Sequence, residues 1–207
     1  MDIGILGGGN VGSALARLAI SAGHDVRIGQ REAGSLANGL DATTMPIAAA
    51  HGDIVVIALP FAVCADALPP LKTALAGSIV VDATNPLNAD WSPLLLGQEN
   101  SAAEEIARLL PESRVVKAFN TVFAHAMTSA RLQRASGARI TAFVAGDDDR
   151  AASQVEGFAQ SLGFAPQRVG GLANARYLEA MAHLNIAIAV GGGGGTDACF
   201  LYDQARD

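Results

Sequence analysis

Ile3-Gly-Ile-Leu-Gly-Gly-Gly-Asn-Val-Gly12 opens the chain as a short apolar run that breaks into glycine, and apolar residues then recur at Val11, Leu15, Leu18, Ala19 and Ala22. The first run reads as a buried strand and the later spacing as a helix, so the glycines occupy a strand-to-helix turn. Taken as Gly7-x-Gly9-x-x-Gly12, the first glycine permits a tight turn, the second lets backbone approach a pyrophosphate, and the third lets helix pack on strand. Gly-rich turns are common, and 23 of the 207 residues are Gly. The strand before and the amphipathic helix after give the motif its meaning, against a plain strand-helix turn with no ligand. The helix would then aim unpaired N–H groups and its positive end at the phosphates of a dinucleotide.

Working outward, a second strand starts at Asp25, after the turn at Gly23, and ends in Gln30-Arg31, followed by Glu32. NAD sites place an acidic side chain at this strand end to accept from the ribose 2′-OH. A guanidinium there instead suits a 2′-phosphate, through charge-assisted hydrogen bonds worth about 1.5–3 kcal/mol. Arg31 therefore points to NADP(H), with Glu32 as a solvated loop residue; if Glu32 faces the ribose, NAD is preferred.

Strand and helix patterns then alternate. Asp53 to Pro60 is a continuous apolar strand, helical spacing resumes at Val63, Ala67, Leu71 and Leu75 across Pro69-Pro70, and Ser78 to Asp82 is a strand running into Asn85-Pro86-Leu87. A loop around Trp91 reaches Asn100, and Ser101-Ala-Ala-Glu104 is a capping-box pattern opening a helix to Leu110. Arg114 to Phe119 is a strand ending at Asn120-Thr121, residues 122–135 read as helical, and Ile140 to Ala145 is a further strand before a helix capped by Asp147-Asp148-Asp149. This alternation predicts an α/β fold, a Rossmann-like doubly wound and mostly parallel sheet, with a small C-terminal helical extension. Residues 1–170 are read as the nucleotide-binding domain. Residues 171–207, with a long apolar helix from Ala173 to Val190 and the tract Gly191 to Gly195, would complete an acceptor pocket and a dimer interface.

Ligands of such sheets sit outside the carboxyl ends of the strands. Those ends are Gly7, Gly8, Gly9, Asn10 and Val11; Gln30 and Arg31; Leu59, Pro60 and Phe61; Asn85 and Leu87; and Asn120 with Thr121. Singly, Asn85 reads as a turn residue and Asn120 as a helix cap; their convergence on one crevice is what points to a site. The glycine tract, with Gly191 and Gly192 first, is either a slack linker or a place where backbone amides meet a flat ring.

Composition narrows the class. Half of the residues are hydrophobic, the net charge is -6 and the pI is near 5.1, with no basic run, so neither a nucleic-acid nor a membrane partner is expected. Cys64 and Cys199 have no metal-ligand spacing and read as thiols in a reducing cytoplasm. None of His24, His51, His125 and His183 falls at a strand end, and no nucleophile elbow, paired carboxylates or metal cluster is legible, so no catalytic acid-base residue is assigned. Lys117, inside a strand, is the one candidate ammonium. Only 37 residues follow Gly170, too few for the helical substrate domain of related reductases. A flat redox partner that takes hydride without a protein acid is therefore favoured.

The chain resembles the NADP oxidoreductases that use the deazaflavin coenzyme F420, along nearly its whole length. The resemblance is carried by Gly7 to Gly12, Gly29-Gln-Arg31, Ser101-Ala-Ala-Glu104, Gly146-Asp-Asp-Asp149 and Gly170-Gly-Leu-Ala-Asn-Ala-Arg176. It implies that Gly8 to Val11 hold the pyrophosphate, Gln30 and Arg31 the 2′-phosphate, and that Phe61, Leu87 and Ala124 line the nicotinamide side. It also implies a homodimer and a deazaflavin near Asn120 and the terminal glycines. Val116-Lys-Ala-Phe-Asn-Thr121 is more similar to the cytosolic domain of six-transmembrane metalloreductases, which pass hydride from NADPH to a flavin; archaeal members carry His where Asn120 stands. The acceptor is accordingly F420 or a flavin, FMN or FAD. Two other readings are an NADP(H)-binding redox sensor and a small-substrate reductase whose pocket is completed by Tyr177 or His183 of a dimer mate.

Overall fold

The computed structural model describes residues 1–37, 39–94 and 99–204. Part of the loop expected around Trp91 and the last three residues of the C-terminal extension lie outside the described residues. In chain order the elements are β1 (Asp2–Leu6), α1 (Asn10–Ser21), β2 (Asp25–Gln30), β3 (Gly34–Ser35), β4 (Asp41–Thr44), α2 (Met45–His51) and β5 (Ile54–Ile57). They continue as α3 (Cys64–Ala67), α4 (Lys72–Leu75), β6 (Ile79–Asp82), α5 (Ala102–Leu109), β7 (Arg114–Lys117), α6 (Ser129–Leu132), β8 (Thr141–Gly146), α7 (Asp149–Ser161), β9 (Ala165–Arg168) and α8 (Ala175–Ile186).

Among the described residues the strands form one sheet in the order β3-β4-β2-β1-β5-β6-β7-β8-β9. The pairs β2–β1, β1–β5, β5–β6 and β6–β7 are parallel, whereas β3–β4 and β7–β8 are antiparallel. The sheet is thus doubly wound and mostly parallel, as expected. Alternation along β5 shows why both faces must be covered: Ile54 and Val56 join the cluster beneath α1 and α7, while Val55 and Ile57 join the one beneath α2, α3, α4 and α5. Order reverses beside β1, which is where a doubly wound sheet leaves its crevice.

Three expectations change. Residues 122–135 are not one helix but a 3-10 turn at Ala124–Ala126 and the four-residue α6. Polar β3 and β4 and the Pro-containing β9 carry no apolar run by which to read them, and the sheet supplies their pairing. The late helix starts after a 3-10 turn at Leu172–Asn174, and α8 passes at Ile186 into a π turn over Ala187–Gly191. Pro69-Pro70 does break the Val63–Leu75 spacing, into α3, a 3-10 turn and α4. Among the described residues no helix is long and apolar enough to cross a membrane.

Candidate active site

The glycine turn has the geometry its spacing requires. Gly7 sits at φ +114°, where a Cβ would lie 2.4 Å from the Ala58 carbonyl oxygen, and a Cβ on Gly12 would lie 2.0 Å from that of Gly7. Gly9 has nothing within 4 Å of its missing Cβ. The space over the turn at Gly9 is therefore open. Gly9 is also the N-cap of α1, with no side-chain cap and no acidic residue in the first turn. The positive helix end is left open to an anion.

One strand over, Gln30 lies against the same turn: a Cβ on Gly8 would come within 2.4 Å of its Nε2. Arg31 follows β2, is exposed, and has no ion pair or hydrogen bond among the described residues. Neither Gln30 nor Arg31 lines the main cavity.

That cavity, of about 660 Å³, opens at the strand ends. Of the residues expected at the site, Gly9, Asn10, Val11, Leu59, Pro60, Phe61, Asn85, Leu87, Asn120, Thr121 and Ala124 line it. Trp91, Phe123, Ala182, Asn185 and Ile186 line it too, and the strand-end rule did not find them. The last three come from α8, whose spacing was legible but whose packing partner was not. Gly191 and Gly192 are not in the lining. The amides of Gly192, Gly194 and Gly195 donate to the carbonyls of Ala187, Ile188 and Ala189, so the tract closes the end of α8. Beyond it, Asp197 pairs with Arg131 and Arg134, which ties the tail to α6.

Among the described residues, none in the lining is titratable. The polar groups are amides and hydroxyls, and most are spoken for. Asn120 Nδ2 donates to Asn85 Oδ1 (2.9 Å) and to the Leu178 carbonyl (3.0 Å), and Asn85 Nδ2 donates to the Asn120 carbonyl (2.8 Å). Asn185 Nδ2 donates to the Thr121 carbonyl at 3.2 Å. Asn120 Oδ1 and Thr84 Oγ1 are buried without a partner. Orphaned acceptors of this kind cost free energy unless a ligand or water meets them. Phe119, just before Asn120, holds a left-handed φ of 65°, a strained conformation for a bulky residue. Its ring is pinned against Phe158 and Phe164 at centroid distances of 6.1 and 5.4 Å.

Beneath this uncharged floor lies a charged layer. Lys117 is fully buried; its Nζ donates to Asp82 Oδ2 (2.8 Å), Glu179 Oε1 (2.8 Å) and the Thr84 carbonyl (2.7 Å). Burial opposes the ammonium, but Asp82 and Glu179 together outweigh it and hold its pKa above the ordinary value. All three N–H bonds are used, so Lys117 is not a free catalytic acid. The paired carboxylates not legible in the sequence are here, brought together from β6 and α8. The neighbouring Cys64 thiol is pushed up to about 12, by burial first and then by Asp82, which leaves it inert. Three of the four histidines are hydrogen-bonded through one ring nitrogen: His183 Nε2 to the Pro86 carbonyl, His125 Nδ1 to Thr196 Oγ1 and His24 Nε2 to Ser161 Oγ; His51 Nε2 lies 3.6 Å from Asp25 Oδ1 with no hydrogen bond among the described residues. Tyr177 is 69% exposed.

The motifs that carried the resemblance meet one another. Arg176 grips Glu104 through two bonds of 2.9 and 2.6 Å, and Glu104 also accepts from Ser101 Oγ. The Arg176 bonds, ahead of the one from Ser101, hold the Glu104 carboxyl below its usual range. Asp148 caps α7 through the Ala151 amide, whereas Asp147 instead accepts from the Leu172 amide at 2.8 Å.

An open glycine turn on a doubly wound sheet, with an apolar cavity beyond the strand ends, is the arrangement of the Rossmann class of nucleotide-binding folds. Residues 2–86 match the family described as NADP oxidoreductase, coenzyme F420-dependent. The F420-dependent NADP reductase of Methanocaldococcus jannaschii is 31% identical over 92% of this chain and 93% of its own length. A solved structure from Arthrobacter sp. FB24, provisionally named an F420-dependent NADP-reductase, superposes with a TM-score of 0.85 at 30% identity, covering 99% of this chain and 100% of that one. The chain belongs to this family of NADP oxidoreductases. It is also 32% identical to metalloreductase STEAP3 of Rattus norvegicus over 86% of its length, which spans 36% of that longer protein.

Proposed function

We propose that this protein transfers hydride between NADP(H) and a flat ring acceptor, coenzyme F420 or a flavin. One observation carries the reading: among the described residues, the cavity adjoining the open glycine turn has no titratable side chain in its lining. Reduction of an alcohol or imine needs a proton donor in reach. A deazaflavin or flavin ring delocalises the charge it receives, so apolar walls and backbone or amide groups suffice.

The residues present fit the dinucleotide. The uncapped start of α1 and the empty space over Gly9 suit the pyrophosphate, Arg31 and Gln30 the 2′-phosphate, and the unpartnered Asn120 Oδ1 and Thr84 Oγ1 the polar edge of a ring. Bound there, NADP(H) would supply or accept the hydride at its nicotinamide. Leu59, Phe61, Leu87, Trp91 and Ile186 give apolar walls to the place where two rings would stack.

The homodimer is part of the proposal. Tyr177, Ala180, Leu184, Ala187 and Ile188 are exposed at helical spacing along the outer side of α8 and its π turn, with half-buried Met181 among them, and none is charged. Such a stripe suits a second copy of this chain, and chromatography with light scattering reports its mass. A reducing cytoplasm suits the two free cysteines, Cys64 and Cys199.

The direct test mixes NADPH with oxidised F420, FMN or FAD without oxygen and follows the nicotinamide absorbance. We expect loss with at least one acceptor; absence of turnover with all three ends the proposal. Trp91, the single tryptophan, lines the cavity, so its emission reports occupancy independently of turnover.

A further inference from the structure

We infer that the buried Lys117–Asp82–Glu179 cluster sets the charge of the nicotinamide floor, favouring the oxidised, cationic ring and so easing release of hydride from NADPH. The inference rests on the hydride-transfer reading above and concerns residues that do not touch the ring.

The protonation state follows from the bonding. Asp82 Oδ1 accepts from the Thr84 amide (2.8 Å) and Oδ2 from Lys117. Glu179 Oε1 accepts from Lys117 and the Ala103 amide (3.3 Å), and Oε2 from the Ala102 amide (3.0 Å). Every carboxylate oxygen faces an N–H donor. A protonated carboxyl would need an acceptor, and none of the four oxygens has one. Both carboxylates are anions, Lys117 is a cation, and the cluster carries a formal charge of minus one, partly offset by the positive end of α5.

Its place makes that charge matter. Thr84 lines the cavity; its amide donates to Asp82 and its carbonyl accepts from Lys117. The cluster therefore lies one peptide unit below the floor. Lys117 and Asp82 are 0% exposed and Glu179 is 4% exposed, so water and salt screen it weakly. The lining supplies no countercharge. A neutral dihydronicotinamide gains little from this field, whereas the ring left after hydride departure is cationic and gains directly. Asp82, Lys117 and Glu179 are accordingly positioning residues: they hold the Thr84 loop and α8 against the cavity and fix the sign of the field there.

The test measures the dissociation constants of NADP⁺ and NADPH separately, by Trp91 emission and calorimetry, in the wild type and in two variants of opposite charge change. Glu179→Gln takes the cluster to zero and should raise the ratio Kd(NADP⁺)/Kd(NADPH) roughly three- to tenfold, for one charge about 10 Å from the ring at an effective dielectric near 20, discounted for the helix dipole. Lys117→Gln leaves the two carboxylates without their cation; at a pH alkaline enough to keep both ionised it takes the cluster to minus two and should lower the same ratio. A purely structural role would weaken both ligands in both variants and leave the ratio alone. An unchanged ratio, or a shift of the same sign in both, overturns the inference. Should Lys117→Gln show no cooperative unfolding, Asp82→Asn offers a second route to zero charge and must move the ratio in the same direction as Glu179→Gln, or the inference is overturned. A wild type that binds neither form removes the hydride-transfer reading itself, and the inference with it.

Discussion

The cavity and the layer directly under it are built of opposite materials. The cavity shows apolar walls and neutral amides, while one peptide below it Lys117, Asp82 and Glu179 form a fully charged and nearly dry cluster. Each would be ordinary alone. Together they separate contact from field: the ring would meet surfaces that cannot exchange a proton with it, and would still feel a charge. A carboxylate placed in the wall would have given field and proton exchange together. The same contrast explains why α8 belongs to the site, since it supplies Ala182, Asn185 and Ile186 to the wall and Glu179 to the cluster.

The comparison breaks most sharply at Lys117. Lys117→Met leaves two buried carboxylates without their cation, and such losses cost about 3–5 kcal/mol, a large part of the stability of an ordinary domain. Urea unfolding checks this; a loss below 1 kcal/mol would mean the cluster is solvated in solution. Its pH signature has a definite sign. The folded pKa of Lys117 is raised above 10.5, so this stability is fully present below the unfolded value and is lost as pH rises through the folded one. The unfolding midpoint should therefore fall on the alkaline side in the wild type and lack that component in Lys117→Met.

At the other end of the crevice, Arg31→Ala should weaken NADPH ten- to a hundredfold, the worth of a charge-assisted bond of about 1.5–3 kcal/mol, and leave NADH unchanged by calorimetry. Equal loss for both would move the 2′-phosphate elsewhere. A smaller effect is expected at the start of α5: Ser101→Ala removes the cap on the Glu104 amide and should cost about 0.5–2 kcal/mol in urea. Smallest is the acid limb. Glu104 is held below 4.5 chiefly by Arg176, so its contribution is present above the unfolded value and lost as pH falls through the depressed folded one. Glu104→Gln should flatten that limb in thermal melts.

Much of the site was legible because it lies where local rules place it. The three glycines, Arg31, Leu59 to Phe61, Asn85 and Asn120 all follow from strand ends and a turn whose chemistry is written in consecutive residues. The helix expected over 122–135 failed because apolar spacing there serves a 3-10 turn and short α6 packed under the sheet. Strand β9 escaped because Ala-Pro-Gln-Arg has no strand pattern of its own and is recruited by β8. That the glycine tract lies outside the cavity lining, with amides turned back on α8, was not legible either.

Sequence by itself therefore determined the doubly wound sheet and the open helix end, since each depends on residues within one turn or strand. Only the tertiary structure decided that Lys117 would be saturated, that Asp82 and Glu179 would be its partners across separations of 35 and 62 residues, and that α8 would wall the cavity. Periodicity reports which face of an element is buried. It does not say against what, and a buried charge is defined by its partners.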